Sequence, residues 1–222
     1  MRDWLLGFSS LAIVLFSCQS KEEHPRIKKI LVIGNSITIH PPDPSIGWNA
    51  AWGMAATGPN RDFFSLLKDS LQYHFPQLEM IRENVYPFER QFETLDFEQY
   101  DYLKEFEADI IIIRLGENIP ENKLLEWNLS EALQDFATYL GTADTKFIIT
   151  TTFWPRSLVN EQLLHAASIN LWEVVDIGAL GEDPAYMAIG QFENHGVAAH
   201  PNDLGMYAIS KALSTALLAL EL

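Results

Sequence analysis

Cysteine is nearly absent from this chain. Cys18 is the only one in 222 residues, which excludes an internal disulfide and a thiolate metal cluster. Positive charge is scarce too, with 15 basic side chains against 30 acidic ones and a net charge of −15. That balance offers no electrostatic footprint for nucleic acid, and an anionic bilayer repels it. The expected substrate is therefore neutral or locally recognised. The mostly apolar stretch from Leu5 to Phe16 falls short of the roughly 20 residues that a membrane span needs. A Gly-x-x-x-x-Gly-Lys phosphate loop and a His-Glu-x-x-His metal helix are both missing. Neither a metal nor an organic cofactor is expected, and nothing in the sequence marks internal repeats or a second domain.

The N-terminus has the layout of a secretory signal: Arg2, a short apolar region, then Leu15-Phe16-Ser17 before Cys18. Residues 1–17 are read as a signal peptide. Cys18 resembles the cysteine of a bacterial lipobox, which becomes the lipidated N-terminus of the mature protein. Residues 18–28 then form a polar tether, and the acidic pair Glu22-Glu23 resembles surface-export tethers of some Gram-negative bacteria. The expected location is extracytoplasmic and membrane-anchored, either periplasmic or at the cell surface. An ordinary signal peptide with an incidental cysteine is the alternative. Residues 29–222 remain, enough for one domain with a full core.

In that domain apolar runs alternate with amphipathic stretches. Strands are predicted at Lys29–Ile33, Leu78–Arg82, Asp109–Arg114, Lys146–Thr151 and Glu173–Ile177. The surest is the third, with its run of isoleucines from Ile110 to Ile113. Helical stripes include Phe63, Leu67, Leu71 and Phe75 behind a cap at Asn60, and Leu129, Leu133, Phe136 and Leu140 before Gly141. A short helix at Glu161–Asn170 and a closing helix from about Asp203 complete the set, with Phe92–Phe106 helical in part. Strands separated by helices imply a five-stranded parallel sheet with helices on both faces, since parallel neighbours need crossovers. Right-handed crossovers place all strand C-terminal ends on one rim. Four polar groups then converge there: Ser36 after strand one, Asn84-Val85-Tyr86 after strand two, Gly116-Glu117-Asn118 after strand three, and His200-Pro201 before the last helix.

Acyl transfer needs a nucleophile, a base and donors aimed at a developing oxyanion. Ser36, His200 and Asn118 are of the right types. A lone Gly-x-Ser more often caps a helix; the ordered set of blocks reverses that reading. The blocks Gly34-Asn35-Ser36-Ile37-Thr38, Gly116-Glu117-Asn118 and His200-Pro201 resemble those of SGNH (GDSL-type) hydrolases. The resemblance spans nearly all of the mature chain. It implies a flavodoxin-like three-layer α/β/α sandwich and a serine ester hydrolase that needs no cofactor. It also implies Ser36 as nucleophile, His200 as base, and an oxyanion hole of Asn118 with the backbone N–H groups of Ser36 and Tyr86. No Gly-x-Ser-x-Gly elbow surrounds Ser36, since Thr38 follows where its last glycine would stand.

This chain departs from the family pattern at several places. Asn35 stands where the family often has aspartate, and Ile119 follows Asn118 in place of another. Val197 occupies the position of the triad acid. A backbone carbonyl holding His200 Nδ1–H would give a Ser–His dyad; Glu193 or Asp183 folding back would give a non-standard triad. Asp203 is read as the cap of the final helix. The second block has no glycine, which leaves Tyr86 N–H as the expected donor. The long insert after strand one carries Trp48 and Trp52, and a loop of this length is usually functional. With Trp154 they are read either as sugar-stacking faces or as packing. Glu117 either shapes its loop or touches substrate. His40, His74, His165 and His195 are scattered, and His195 is near enough to His200 to line a pocket. The expected reaction is hydrolysis of O-acyl esters, typically acetyl, on a glycan. A lipid-directed esterase or thioesterase, or a carbohydrate-binding protein that lost catalysis, are the alternatives.

Overall fold

The computed structural model describes residues 27–220; the expected signal peptide, Cys18 and most of the tether lie outside the described residues. Five strands form one parallel sheet: β1 (Lys29–Gly34), β2 (Glu79–Asn84), β3 (Ile110–Arg114), β4 (Lys146–Thr150) and β5 (Glu173–Val175). Their spatial order is β2-β1-β3-β4-β5, the doubly wound order in which chain direction across the sheet reverses between β1 and β3. Seven helices connect and flank them: α1 (Phe63–His74), α2 (Tyr86–Gln91), α3 (Asp101–Lys104), α4 (Leu129–Leu140), α5 (Ser157–Asn170), α6 (His195–Ala198) and α7 (Asp203–Ala219).

The sheet is buried on both faces, and the two-residue period of each strand divides its side chains between two cores. Ile30, Val32, Ile110, Ile112 and Ile148 point to one face and pack with Phe63 and Leu67 of α1 and Ile209 and Leu213 of α7. Leu31, Ile33, Ile111, Ile113 and Ile149 point to the other and pack with Phe88 of α2, Leu133 and Phe136 of α4 and Leu163 of α5. The result is the three-layer α/β/α sandwich expected from the sequence.

Several boundaries differ from the predicted ones. Asp62, not Asn60, caps α1, its side chain accepting from Ser65 N–H. Asn202, not Asp203, caps α7 by accepting from the Leu204 and Gly205 N–H groups. Asp203 instead receives the N–H (2.9 Å) and hydroxyl (2.6 Å) of Thr57. Helix α5 begins at Ser157, a turn earlier than predicted, and β2 runs on to Asn84. Helix α2 was not predicted at all.

Candidate active site

Strand β1 delivers Ser36 to the carboxyl rim. Gly34 ends the strand in register with Asn84 on one side and Arg114 on the other. A Cβ at position 34 would fall 1.9 Å from Thr38 Oγ1 and 3.0 Å from the Arg114 carbonyl, so only glycine fits the close approach. The chain then turns sharply, Asn35 C=O accepting from the Thr38 (2.9 Å) and Ile39 (3.1 Å) N–H groups. Ser36 sits at that turn, in the crevice where the strand order reverses.

Ser36 Oγ lies 2.8 Å from His200 Nε2, although 164 residues separate them in sequence. The other ring nitrogen, Nδ1, is 2.7 Å from the Gly196 carbonyl oxygen. A carbonyl only accepts, so Nδ1 carries the hydrogen and Nε2 presents its lone pair to the serine hydroxyl. The tautomer that a general base requires is thus fixed by the backbone. Neither Asp183 nor Glu193 is bonded to this imidazole. Asp183 caps a 3-10 turn by accepting from Ala185 N–H, and Glu193 is exposed. Asp203 is engaged by Thr57, so none of the acids considered from the sequence orients the ring. Val197 is buried in a small cluster with Trp48, Met54, Ala55 and Ala188. Burial pushes the His200 pKa down to about 4, against the raising effect of its hydrogen bond to Gly196; the charges of Arg114 and His40 lower it further.

Asn118 faces the same cavity, of about 880 Å³, as Ser36 and His200. Tyr86 lines this cavity as well, but its backbone N–H donates to Asn84 Oδ1 at 2.9 Å, and Val85 N–H donates to the Gly34 carbonyl. The expected Tyr86 donor is therefore already engaged. The available oxyanion donors are Asn118 Nδ2 and the Ser36 N–H, which has no partner among the described residues.

Beneath these groups lies a buried polar cluster. Glu89 of α2 is fully buried; its Oε1 accepts from Gly116 N (2.7 Å), Asn118 N (3.3 Å) and Asn35 Nδ2 (3.1 Å), and its Oε2 from Asn118 Nδ2 (2.7 Å). Arg114, also fully buried, donates to Glu117 Oε1 at 2.8 Å and to Asn35 Oδ1 at 2.7 Å. Glu117 further accepts from Phe153 N (2.9 Å) and Asn35 Nδ2 (2.6 Å). Burial raises the Glu89 pKa, and the Glu117 charge adds to that; its bonds to Asn118, Gly116 and Asn35 oppose it. The Glu117 carboxylate is spent within this cluster, and Glu117 does not line the cavity. Asn35 is explained by its setting: its amide donates to two carboxylates, which an aspartate could not do.

The three tryptophans pack the site's surroundings and do not line the cavity. Trp48 is buried, 6.0 Å edge-on to Trp52 and 6.1 Å from Phe192, with Nε1 donating to the His40 carbonyl. Trp52 Nε1 donates to the Ala56 carbonyl. Trp154 stands edge-on to the His200 ring at 5.2 Å and donates to the Ala199 carbonyl. Their role is to fold the insert onto the rim and to brace the imidazole. The cavity walls are instead Ile39, His40, Pro41, Pro42, Ile46 and Met54 on the insert, facing Glu83, Asn84, Asn194 and Val197.

No family model matches the chain, and no curated protein matches it. Solved structures do. The esterase EstA from Pseudoalteromonas sp. aligns with 13% identity and a TM-score of 0.55, over 87% of this chain and 98% of that one. An acetylxylan esterase from Geobacillus stearothermophilus aligns with 17% identity and a TM-score of 0.53, over 85% and 93%. A two-domain esterase active on acetylated mannans gives 15% identity and a TM-score of 0.57, over 87% of this chain and 50% of that one. The chain has the fold of these esterases. At these identities the likeness is one of fold.

Sequence reasoning missed Glu89 and Arg114. Arg114 carries a readable signal, since a charge closing a run of buried isoleucines needs a buried partner. Glu89 carries none: it lies in the polar segment Phe88-Glu89-Arg90-Gln91, whose helix buries only Phe88 and Glu89.

Proposed function

We propose that this protein is a serine ester hydrolase of the SGNH type, working through a Ser36–His200 dyad. The observation that carries this reading is the 2.8 Å approach of Ser36 Oγ to His200 Nε2, with Nδ1–H held by the Gly196 carbonyl. Ser36 Oγ attacks the ester carbonyl carbon while its proton passes to His200 Nε2. The oxyanion forms against Asn118 Nδ2 and Ser36 N–H. As the tetrahedral adduct collapses, the C–O bond to the alcohol breaks and His200 returns the proton to the leaving oxygen. Water then repeats the sequence on the acyl-serine, releasing the acid and restoring Ser36.

Acetyl esters on a glycan are the first substrate class, supported by the acetylxylan esterase and acetylated-mannan esterase among the structural neighbours. The lining of the cavity supports a second class. Ile39, Pro41, Pro42, Ile46 and Met54 suit a larger apolar acyl or alcohol group, and none of the tryptophans among the described residues lines this cavity. The N-terminal sequence supports an extracytoplasmic protein anchored through lipid on Cys18; incorporation of a fatty-acid label, lost in Cys18→Ser, is the expected result.

A fluorophosphonate probe is expected to label the protein at Ser36, and Ser36→Ala to lose both labelling and ester hydrolysis. Near-normal turnover in that variant overturns the assignment. Absence of labelling in the wild type, with retained glycan binding, would indicate a binding protein on this fold. Acetylated xylooligosaccharides against p-nitrophenyl esters of increasing chain length separate the two substrate classes.

A further inference from the structure

Glu89 neither lines the cavity nor reaches Ser36 or His200, yet it grips the residue expected to meet the oxyanion in two ways at once. Its Oε1 takes the backbone N–H of Asn118 at 3.3 Å and its Oε2 takes the side-chain Nδ2 at 2.7 Å. Gly116 N–H, two residues earlier on the same loop, donates to that Oε1 at 2.7 Å. A carboxamide on a loop otherwise rotates about two torsions; held at backbone and amide by one carboxylate, it has a single orientation. An amide nitrogen carries two hydrogens. With one on Glu89, the second is left for the cavity that Asn118 shares with Ser36.

Asn35 precedes Ser36 and its Nδ2 donates to Glu89 Oε1 at 3.1 Å and to Glu117 Oε2 at 2.6 Å, while its Oδ1 accepts from Arg114. Donors stabilise a transition state when they are aimed before the reaction begins. We infer that Glu89 is a positioning residue that aims Asn118 Nδ2 at the oxyanion. This rests on the hydrolase reading proposed above.

The test is a double-mutant cycle with an ester substrate, alongside thermal melts. Asn118→Ala is expected to lower kcat about 10²-fold. A folded Glu89→Ala is expected to do the same with KM within about threefold, and Glu89→Gln to recover part of the loss. In the Asn118→Ala background, Glu89→Ala should add less than about threefold. An unchanged kcat in folded Glu89→Ala, or losses that multiply to about 10⁴ in the double variant, overturns the inference. Should Glu89→Ala not fold, Glu89→Gln carries the cycle. A fall in kcat in the wild-type background but not in Asn118→Ala supports the inference; equal effects in both backgrounds, or none in either, overturn it. A wild-type protein that hydrolyses no ester and is not labelled at Ser36 overturns the hydrolase reading, and the positioning role with it.

Discussion

Acid is the sharpest perturbation for this site, because the base is held so far from its ordinary titration range. Burial brings His200 down to about 4, and the Arg114 and His40 charges act in the same direction. With a pKa of about 4, roughly nine-tenths of the imidazole is neutral at pH 5. At an ordinary value near 6.5 only about 3% would be. The kcat/KM for a neutral ester is therefore expected to stay near its plateau down to about pH 5, and to fall tenfold per unit only below about pH 4. That is roughly a thirtyfold difference at pH 5 from a solvent-like histidine. A pH-stat assay from pH 8 to pH 4 measures it, and the rate of fluorophosphonate labelling should trace the same limb, since both report the free enzyme's base. Circular dichroism must accompany the series, because the same shift acts on folding. The unfolded chain protonates this histidine near 6.5 and the folded one near 4. The associated stability is thus complete above about pH 6.5 and declines as pH falls through that window, by up to about 3 kcal/mol. An acid limb centred between pH 6 and 7 in a fully folded sample would refute the reasoning.

Asn35→Asp sets a carboxylate where an amide now donates to Glu89 (3.1 Å) and Glu117 (2.6 Å). A loss of about 3–5 kcal/mol is expected, read as a fall in Tm of roughly 10 °C. Val197→Asp restores the acid that related motifs carry, but inserts it among Trp48, Met54 and Ala188. His200 Nδ1 already has its acceptor, so this change is expected to lower stability by a few kcal/mol without raising kcat, in a urea melt and an esterase assay run together.

What could be read from the sequence follows from where the signals are local. The runs Ile30–Ile33 and Ile110–Ile113 announce central strands because both of their faces are covered. The edge strands are less legible: β2 reads Glu79-Met80-Ile81-Arg82-Glu83-Asn84 and pairs on one side only, so its composition gives no clean end. Helix α2 is six residues long with two buried positions, too short for a period to emerge. At the site, the meeting of Ser36, Asn118 and His200 follows from topology, since strand ends share a rim. The polar cluster beneath them does not. Glu89 and Asn35 are 54 residues apart, and Arg114 and Asn35 are 79; Arg114 closes a buried run, but the run does not name its partners, and Glu89 sits in a segment that reads as solvated. Tryptophans mislead for the related reason that stacking and packing use the same ring, and only the facing surface tells them apart.

The oxygen that meets His200 Nδ1 belongs to the peptide backbone four positions upstream. No codon change can delete it, and it neither gains nor loses a proton in water. Sensitivity shifts from the identity of residues to their spacing. One residue added or removed between positions 196 and 200 would swing the ring by about 100° around the helical turn, so this segment should tolerate exchanges of side chain far better than changes of length.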